Sequence, residues 1–418
     1  MDSLIGKHFD FDDEPMAPAK ILVVGIGGGG GNAINNMIDK GIQGVEFVAI
    51  NTDAQALAAN KAPIKIQAGR NTTKGLGAGA RPSVGAEAIK ESREEIEAVL
   101  RGYDMVFITA GMGGGTGTGG AAIVAEIARR LGILTVAVVT KPFQFEGRKR
   151  MKQAMEGIRM LREFVDTLVV IPNQKLLAIA DEDTSLMEAF LMADEVLYNA
   201  TRGISDLITV HGLVNLDFAD VRTTMENGGT ALMGSAVASG ENRAERAARE
   251  AISSPLLDGL SIQGARNVLV NITASSSLRI REAEVASSLI QQAAGEDVEV
   301  IWGTVIDEEM GDALRVTVIA TGFDEKPREK EADGGRTVLW LEQEPPAIQY
   351  KGAENLKRLD QPAFERKGGK INPTIERRSS EPESSEPEKP RIRKLRLDER
   401  RDPPKDADVP RFLRKMLD

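Results

Sequence analysis

Thr116 and Thr118 alternate with Gly115, Gly117 and Gly119 inside the run GMGGGTGTGG, Gly111 to Gly120. Hydroxyls and bare amides in that pattern suit a polyphosphate, because glycine lets backbone N–H groups approach an anion that a side chain would hold away. The run follows the strand-like DMVFITA (Asp104 to Ala110) and precedes the amphipathic AAIVAEIARRLG, which reads as strand, glycine turn and helix. A second unit of this kind lies upstream: ILVVGIG (Ile21 to Gly27), then GGGGN (Gly28 to Asn32) read as a loop, then the helical AINNMIDKG. Gly25 to Gly30 satisfies G-x-G-x-x-G with Asp53 at the end of the next strand, which alone is the dinucleotide fingerprint of an NAD-dependent oxidoreductase. Glycines serving only a tight turn are the plainer account. Two such loops facing one crevice favour a mononucleotide triphosphate over NAD, whose pyrophosphate one turn holds. No G-x-x-x-x-G-K-[ST] occurs, so the Walker lysine is not the device.

Other polar residues fall where they could complete a nucleotide site. Phe190 and Asp194 are four apart on a helical stretch and share a face, a ring to stack on a purine and a carboxylate to accept from its edge. Guanine offers a carboxylate two adjacent donors, and the amide of Asn173 could donate to its oxygen. A core phenylalanine and a solvated aspartate explain the same pair. Glu146 and Arg150, also four apart, could meet sugar and phosphate or form a surface ion pair. In GLVNLDFADVR, Asp217 and Asp220 take the N-cap and N3 positions of a helix, so capping accounts for both; Asn215 stands beside them.

Composition closes off other chemistries. The 418 residues contain no Cys and two His, His8 and His211, which removes cysteine nucleophiles, Ser-His-Asp triads and protein-held zinc, and leaves no metal-ligating set. A net charge of −10 argues against nucleic acid as partner. The acidic N-terminus lacks an apolar signal region and no apolar run reaches membrane-spanning length, so a cytoplasmic protein is expected.

The elements that must position these residues follow from periodicity. Strands alternate with helices through Asn173, which predicts a doubly wound parallel sheet with its ligand at the C-terminal strand ends. The stretch GRNTTKGLGAGARPSVGAE reads as loop, followed by a charged helix from Ala86 to Leu100. The expected organisation is a loose arm over 1–19, a nucleotide-binding domain over 20–183, a central helix and connection over 184–211 and an α+β domain over 212–323. A disordered linker follows over 324–405, centred on SSEPESSEPEKP, and a tail peptide over 406–418. As a flexible coil of about 80 residues the linker would span roughly 50 Å. Its basic run RIRKLRLDERR reads as solvated charge, with anionic lipid as the alternative. Phe412, Leu413, Met416 and Leu417 share one face after Pro410, which suits a partner's groove rather than a core.

GGGTGTG (Gly113 to Gly119) is similar to the tubulin signature. With GIGGGGGN, NTDAQAL, TKGLGAGA, VAVVTKPFQFEGRKR, NLDFADVR and AISSPLL the chain resembles the FtsZ family, the bacterial tubulin-like cell-division GTPases. The likeness runs from Lys20 to about Phe323, and DVPRFLRK resembles the family's tail. It implies a tubulin-like GTPase domain binding GTP and GDP with Mg2+, head-to-tail homopolymer filaments forming a cytokinetic ring, and tail binding to membrane-tethering proteins of the FtsA or ZipA kind. Carried over by position, Gly28, Gly29, Gly30, Gly31, Asn32, Gly115, Thr116 and Gly117 hold the phosphates, and Glu146 and Arg150 meet sugar and phosphate. Phe190 faces the guanine, with either Asp194 or Glu195 on its edge. Asn215, Asp217 and Asp220 would enter the next subunit's site and position the attacking water. His211 stands where the family commonly has proline, and Gly120-Ala121-Ala122 where it has Ala-Ala-Pro.

Overall fold

A computed structural model describes residues 19–323 apart from 182, 211, 213, 215, 258 and 259. The arm, linker, tail, basic run, both histidines and Asn215 therefore lie outside the described residues.

Apolar runs with strand-breaking flanks produce β1 (Ile21–Ile26), β2 (Val45–Asn51), β3 (Ile64–Gln67), β4 (Met105–Gly111), β5 (Leu134–Lys141) and β6 (Thr167–Pro172). Beyond them come β7 (Gly229–Ser239), β8 (Asn267–Ala274), β9 (Glu299–Ile306) and β10 (Ala313–Thr321). All join one sheet in the order β3-β2-β1-β4-β5-β6-β7-β10-β8-β9. From β3 to β6 every pairing is parallel, and the chain steps outward from β1 to β3 before returning to β4 on the other side. The gap between the C-terminal ends of β1 and β4 is thus the switch point, where a doubly wound sheet leaves its crevice. Three parallel pairs, Thr167↔Gly229 to Val169↔Ala231, carry the sheet across to β7, after which β10 runs antiparallel to both β7 and β8.

The helices are α1 (Gly27–Asp39), α2 (Ala54–Ala58), α3 (Arg70–Thr73), α4 (Pro82–Glu91), α5 (Arg93–Leu100) and α6 (Thr116–Arg130). After these come α7 (Arg148–Arg162), α8 (Asn173–Leu176), α9 (Leu186–Thr209), α10 (Phe218–Met225), α11 (Arg243–Ile252) and α12 (Ile280–Ala294). They cover both sheet faces, so the strands alternate between two cores. Val23, Phe107 and Val136 face Ile34, Met37 and Ile204; Leu22, Val106 and Ile108 face Ile89, Val124 and Leu161. Phe107 is fully buried, which stabilises the fold by roughly 1.5–3 kcal/mol.

The helix starts differ from expectation. The GGGGN run is the first turn of α1, and α6 begins at Thr116, five residues before Ala121. The stretch read as loop contains α3 and the first turn of α4, where Pro82 supplies the preset φ of a first helical position, and Ser92 divides α4 from α5. Close packing explains the glycines' helical state. A Cβ on Gly30 would stand 2.4 Å from the Thr109 carbonyl oxygen, and one on Gly119 2.0 Å from that of Pro82.

The 24-residue α9 starts with a capping box, Ser185 and Glu188, and is about 36 Å long. Near its middle Arg202 donates to Asp206 and Asp307, each at 2.8 Å, and to the Tyr198 hydroxyl at 2.9 Å. These bonds tie the helix to the segment after β9. At its C-terminal end Thr209 lies against Gln43 and Gly44, just before β2 begins.

Candidate functional site

The two glycine runs meet at the switch point. Gly27 holds φ +74° as the chain leaves β1, and Gly113 holds φ +98° after β4, conformations that other residues resist. The runs then touch backbone to backbone, since a Cβ on Gly29 would reach Gly111 at 3.1 Å and one on Gly27 would reach the Gly117 nitrogen at 2.9 Å. Thr118 accepts from the Gly113 amide at 2.8 Å, and the hydroxyls of Thr116 and Thr52 share a hydrogen bond of 2.6 Å. These contacts fix the loops without any ligand.

Gly28 and Gly114 need a different explanation. A Cβ on either would meet nothing within 4 Å. Both line a cavity of about 260 Å³ with Gly29, Gly115, Thr116, Gly117 and Arg150. A smaller cavity of about 160 Å³ shares Gly28 with it and continues past Gly31 and Asn32. The α1 and α6 N-termini open here with no side-chain cap and no acidic residue in the first turn. Uncapped N–H groups and two positive helix ends at one cavity are what binds a phosphate chain. Gly30 lines neither cavity, because its α-carbon is pressed against Thr109.

Sequence reasoning missed the floor of this cavity. Asn51 and Thr52, at the C-terminal end of β2, and the Gly77–Ala80 loop line it as well. Polar residues closing an apolar strand were the available signal for the first pair. Asp53 accepts from the Gln55 and Ala56 amides at 2.9 and 3.1 Å and so caps α2. Asp53 also lines the larger of the two cavities.

A chain of contacts leads sideways from the cavity. Arg150 pairs with Glu146 at 2.8 Å, as the i,i+4 spacing allowed, and Glu146 also accepts from the Phe143 amide at 2.8 Å. Phe143 meets Phe190 edge to face, with ring centres 5.4 Å apart. One turn further on, Asp194 is half-buried, and burial pushes its carboxyl up to about 7. Glu195 is instead engaged by Lys40, whose ammonium also lies 4.8 Å over the Tyr198 ring. Asn173 is buried and its side-chain oxygen has no partner among the described residues. Phe190, Asp194 and Asn173 line neither cavity.

Asp217 and Asp220 lie elsewhere. Arg222 of their helix α10 donates to the Gly132 carbonyl just before β5, and Thr167 at the start of β6 donates to the Met225 carbonyl at 2.5 Å. That places α10 at the N-terminal ends of the parallel strands. The phosphate cavity is at the opposite ends, one strand length or roughly 20–25 Å away. Both carboxylates are exposed. Asp217 stands at the N-cap but makes no side-chain capping bond, so capping, which accounted for both on paper, is not what its carboxylate does.

A larger cavity, about 810 Å³, is between α9 and β7 and is lined by residues such as Leu191, Val196, Met233 and Leu256. Its lining is mainly apolar, and neither glycine run reaches it. No helix among the described residues is long and apolar enough to cross a membrane.

Comparison with known proteins agrees with this geometry. Residues 20–181 match the profile of the Tubulin/FtsZ family, GTPase domain, and residues 229–324 that of the FtsZ family, C-terminal domain. An FtsZ dimer from M. jannaschii, solved empty, is 49% identical with a TM-score of 0.71, over 74% of this chain and 89% of that one. GDP-bound CetZ1 from Haloferax volcanii shares the fold at 23% identity and TM-score 0.64, over 74% of this chain and 96% of that one. Two uncapped helix ends at one cavity, Gly28 and Gly114 left open to it, and these matches lead to one conclusion: the chain belongs to the FtsZ family of tubulin-like polymerising GTPases and binds guanine nucleotide.

Proposed function

We propose that this chain hydrolyses GTP only between subunits, in head-to-tail filaments that form the cytokinetic ring. The observation that carries the reading is the placement of Asp217 and Asp220 at the end of the sheet opposite the phosphate cavity. They cannot reach their own chain's nucleotide, but stacking subunits end to end brings them to the next one's. A contact that does not close generates a filament. The M. jannaschii relative is described as a dimer.

In this mechanism the amides of Gly28, Gly29, Gly31, Asn32 and Gly115 to Gly117 hold the phosphates, with Gly30 setting the turn. Arg150 and Glu146 hold sugar and phosphate. Phe190 stacks on the base and Asp194 accepts from its edge, since Glu195 is occupied by Lys40. The side-chain oxygen of Asn173 has no partner among the described residues, and a side-chain flip would put its NH2 there to donate to the guanine oxygen. The incoming Asp217 and Asp220, with Asn215, orient a water whose oxygen bonds the γ-phosphorus as the bridging β–γ bond breaks, giving GDP and phosphate. No group of three or more acidic or His residues among the described residues could hold a metal. Mg2+ bound together with the nucleotide would neutralise phosphate charge. The protein works at the cytoplasmic face of the membrane, and its tail docks on tethering proteins of the FtsA or ZipA kind.

GTP turnover measured against protein concentration, beside light scattering, tests this. The rate per chain should rise with scattering above a threshold; a constant rate from the lowest concentration would put every catalytic group in one subunit. A second measurement addresses Asp194. A protonated carboxyl loses the acceptor that guanine's donors need, and binding those donors favours the charged form and so releases a proton. GTP affinity should fall as pH drops below about 7, approaching tenfold per unit, and Asp194→Asn should bind weakly with a flat profile. An unchanged slope in that variant would remove Asp194 from the base site.

A further inference from the structure

Glu91, the last residue of α4, turns an exposed carboxylate back onto α3. One oxygen accepts from the Asn71 amide at 2.9 Å and from the Asn71 side-chain NH2 at 2.8 Å. The other accepts from the Thr72 amide at 3.1 Å and from the Thr72 hydroxyl at 2.7 Å. These donors, the Asn71 amide first and then the Thr72 hydroxyl, hold the carboxyl below the usual carboxylate range. The bonds answer a need of α3. Its N-cap is Gly69, at φ +64° and without a side chain to cap with, and a helix of four residues does not hold itself together. Glu91 supplies from another helix the cap that a short polar side chain normally supplies from the same one.

The segment after α3 makes this cap matter. Lys74, Gly75, Gly77, Gly79 and Ala80 all have positive φ, and two of them carry side chains that resist it. Leu76 is 85% exposed, so no core draws the segment in. What fixes it is a short chain of polar contacts. The Thr73 hydroxyl lies 2.9 Å from the Gly69 carbonyl and 3.3 Å from that of Thr52, and the Leu76 amide donates to the Thr73 carbonyl at 3.0 Å. The Ala54 amide donates to Gly75 at 3.0 Å, and the Gly77 amide to Thr52 at 3.2 Å. Gly77, Ala78 and Ala80 then line the phosphate cavity, on the side facing Gly115.

We infer that Glu91, which lies outside the cavity, is a positioning residue for the nucleotide: it holds α3 as a turn, and α3 holds Gly77 to Ala80 as a wall that the phosphates meet. The inference rests on the phosphates occupying this cavity, which Gly28→Leu tests separately. Without the cap the wall is loose in the free protein, and nucleotide has to order it on binding. That cost falls on affinity and leaves the bound state as it was.

Glu91→Gln in the full chain tests this, because an amide has one acceptor oxygen for two sets of donors. The Kd and KM for GTP should rise about tenfold. Turnover at saturating GTP should stay within about twofold of the parent. Simple loss of stability would do the reverse, lowering the fraction of chains that bind and turn over while leaving Kd unchanged. Without nucleotide, trypsin should cut after Lys74 severalfold faster than in the parent, and saturating GTP should restore the parent's protection. Thr72→Ala should shift both readouts the same way, and combining it with Glu91→Gln should add little, since both break one contact. Glu87→Gln, exposed one turn earlier on α4, should change neither. Faster cutting at an unchanged Kd would show that the turn does not serve the site. A raised Kd with unchanged cutting, or additive effects of the two variants, would show that Glu91 does not act through α3. Any of these results overturns the proposal.

Discussion

Asp217→Ala is expected to lower GTP turnover by about 10²- to 10⁴-fold, the range for a group that positions or deprotonates a nucleophile. GTP affinity should stay within about twofold, because the exposed carboxylate is a full strand length from the chain's own cavity. Stability should also hold, since the side chain makes no capping bond to lose. Asp220→Ala should behave alike. Mixing gives the sharper result. Subunits with Asp217→Ala keep an intact nucleotide site and lack the acid; subunits blocked at the nucleotide keep the acid. In an equimolar filament assembled at random, about a quarter of the contacts join a good site to a good acid, so activity should return where each variant alone has little. No recovery in mixtures that demonstrably co-assemble would mean that the acid serves its own chain.

The blocked subunit supplies the second large effect. Gly28→Leu is expected to weaken GTP binding by at least about 100-fold while leaving the free protein as stable as before or more so. The two signs have separate causes. Gly28 is inside α1, where replacing glycine by a good helix former gains up to about 1 kcal/mol, and its Cβ would meet nothing within 4 Å. The same space is the cavity wall, so a leucine there fills what the phosphates need. Urea unfolding and nucleotide titration of one sample check both. Gly30→Leu makes the control, since its Cβ would strike the Thr109 carbonyl at 2.4 Å and the fold itself should fail. Loss of stability in Gly28→Leu would turn the glycine into a packing residue.

How much of this was legible in the sequence varied with the range of the interaction that fixes each feature. The run ILVVGIG became β1 over Ile21–Ile26, because an unbroken apolar run is a local signal. Helix starts were misplaced wherever glycine led the helix. At Gly28 to Gly31 and Thr116 to Gly120 low propensity argued for loop, but contact between the two runs holds both as helix. Pro82 signalled a helix start, and the surrounding glycines hid it. Asp217 fitted a cap by spacing, and only the structure shows the carboxylate unused. The pairing of β6 with β7, and so the single sheet, involves residues about sixty apart and had no local trace. That Glu195 is engaged likewise depends on a distant residue, Lys40.

The order of the strands along the chain bears on synthesis. β1 to β6, with both glycine runs, are complete by Pro172, while Phe190 and Asp194 of α9 and then Asp217 come later. A growing chain leaves the ribosome from its N-terminus and tends to fold in units as it goes. The phosphate cradle can therefore form and hold nucleotide before Asp217 and Asp220, the acids proposed for hydrolysis, have been translated. GTP at about a hundred times its dissociation constant would lend such a cradle roughly 2.7 kcal/mol. The substrate of the finished enzyme is, for the unfinished one, a folding ligand that it cannot consume.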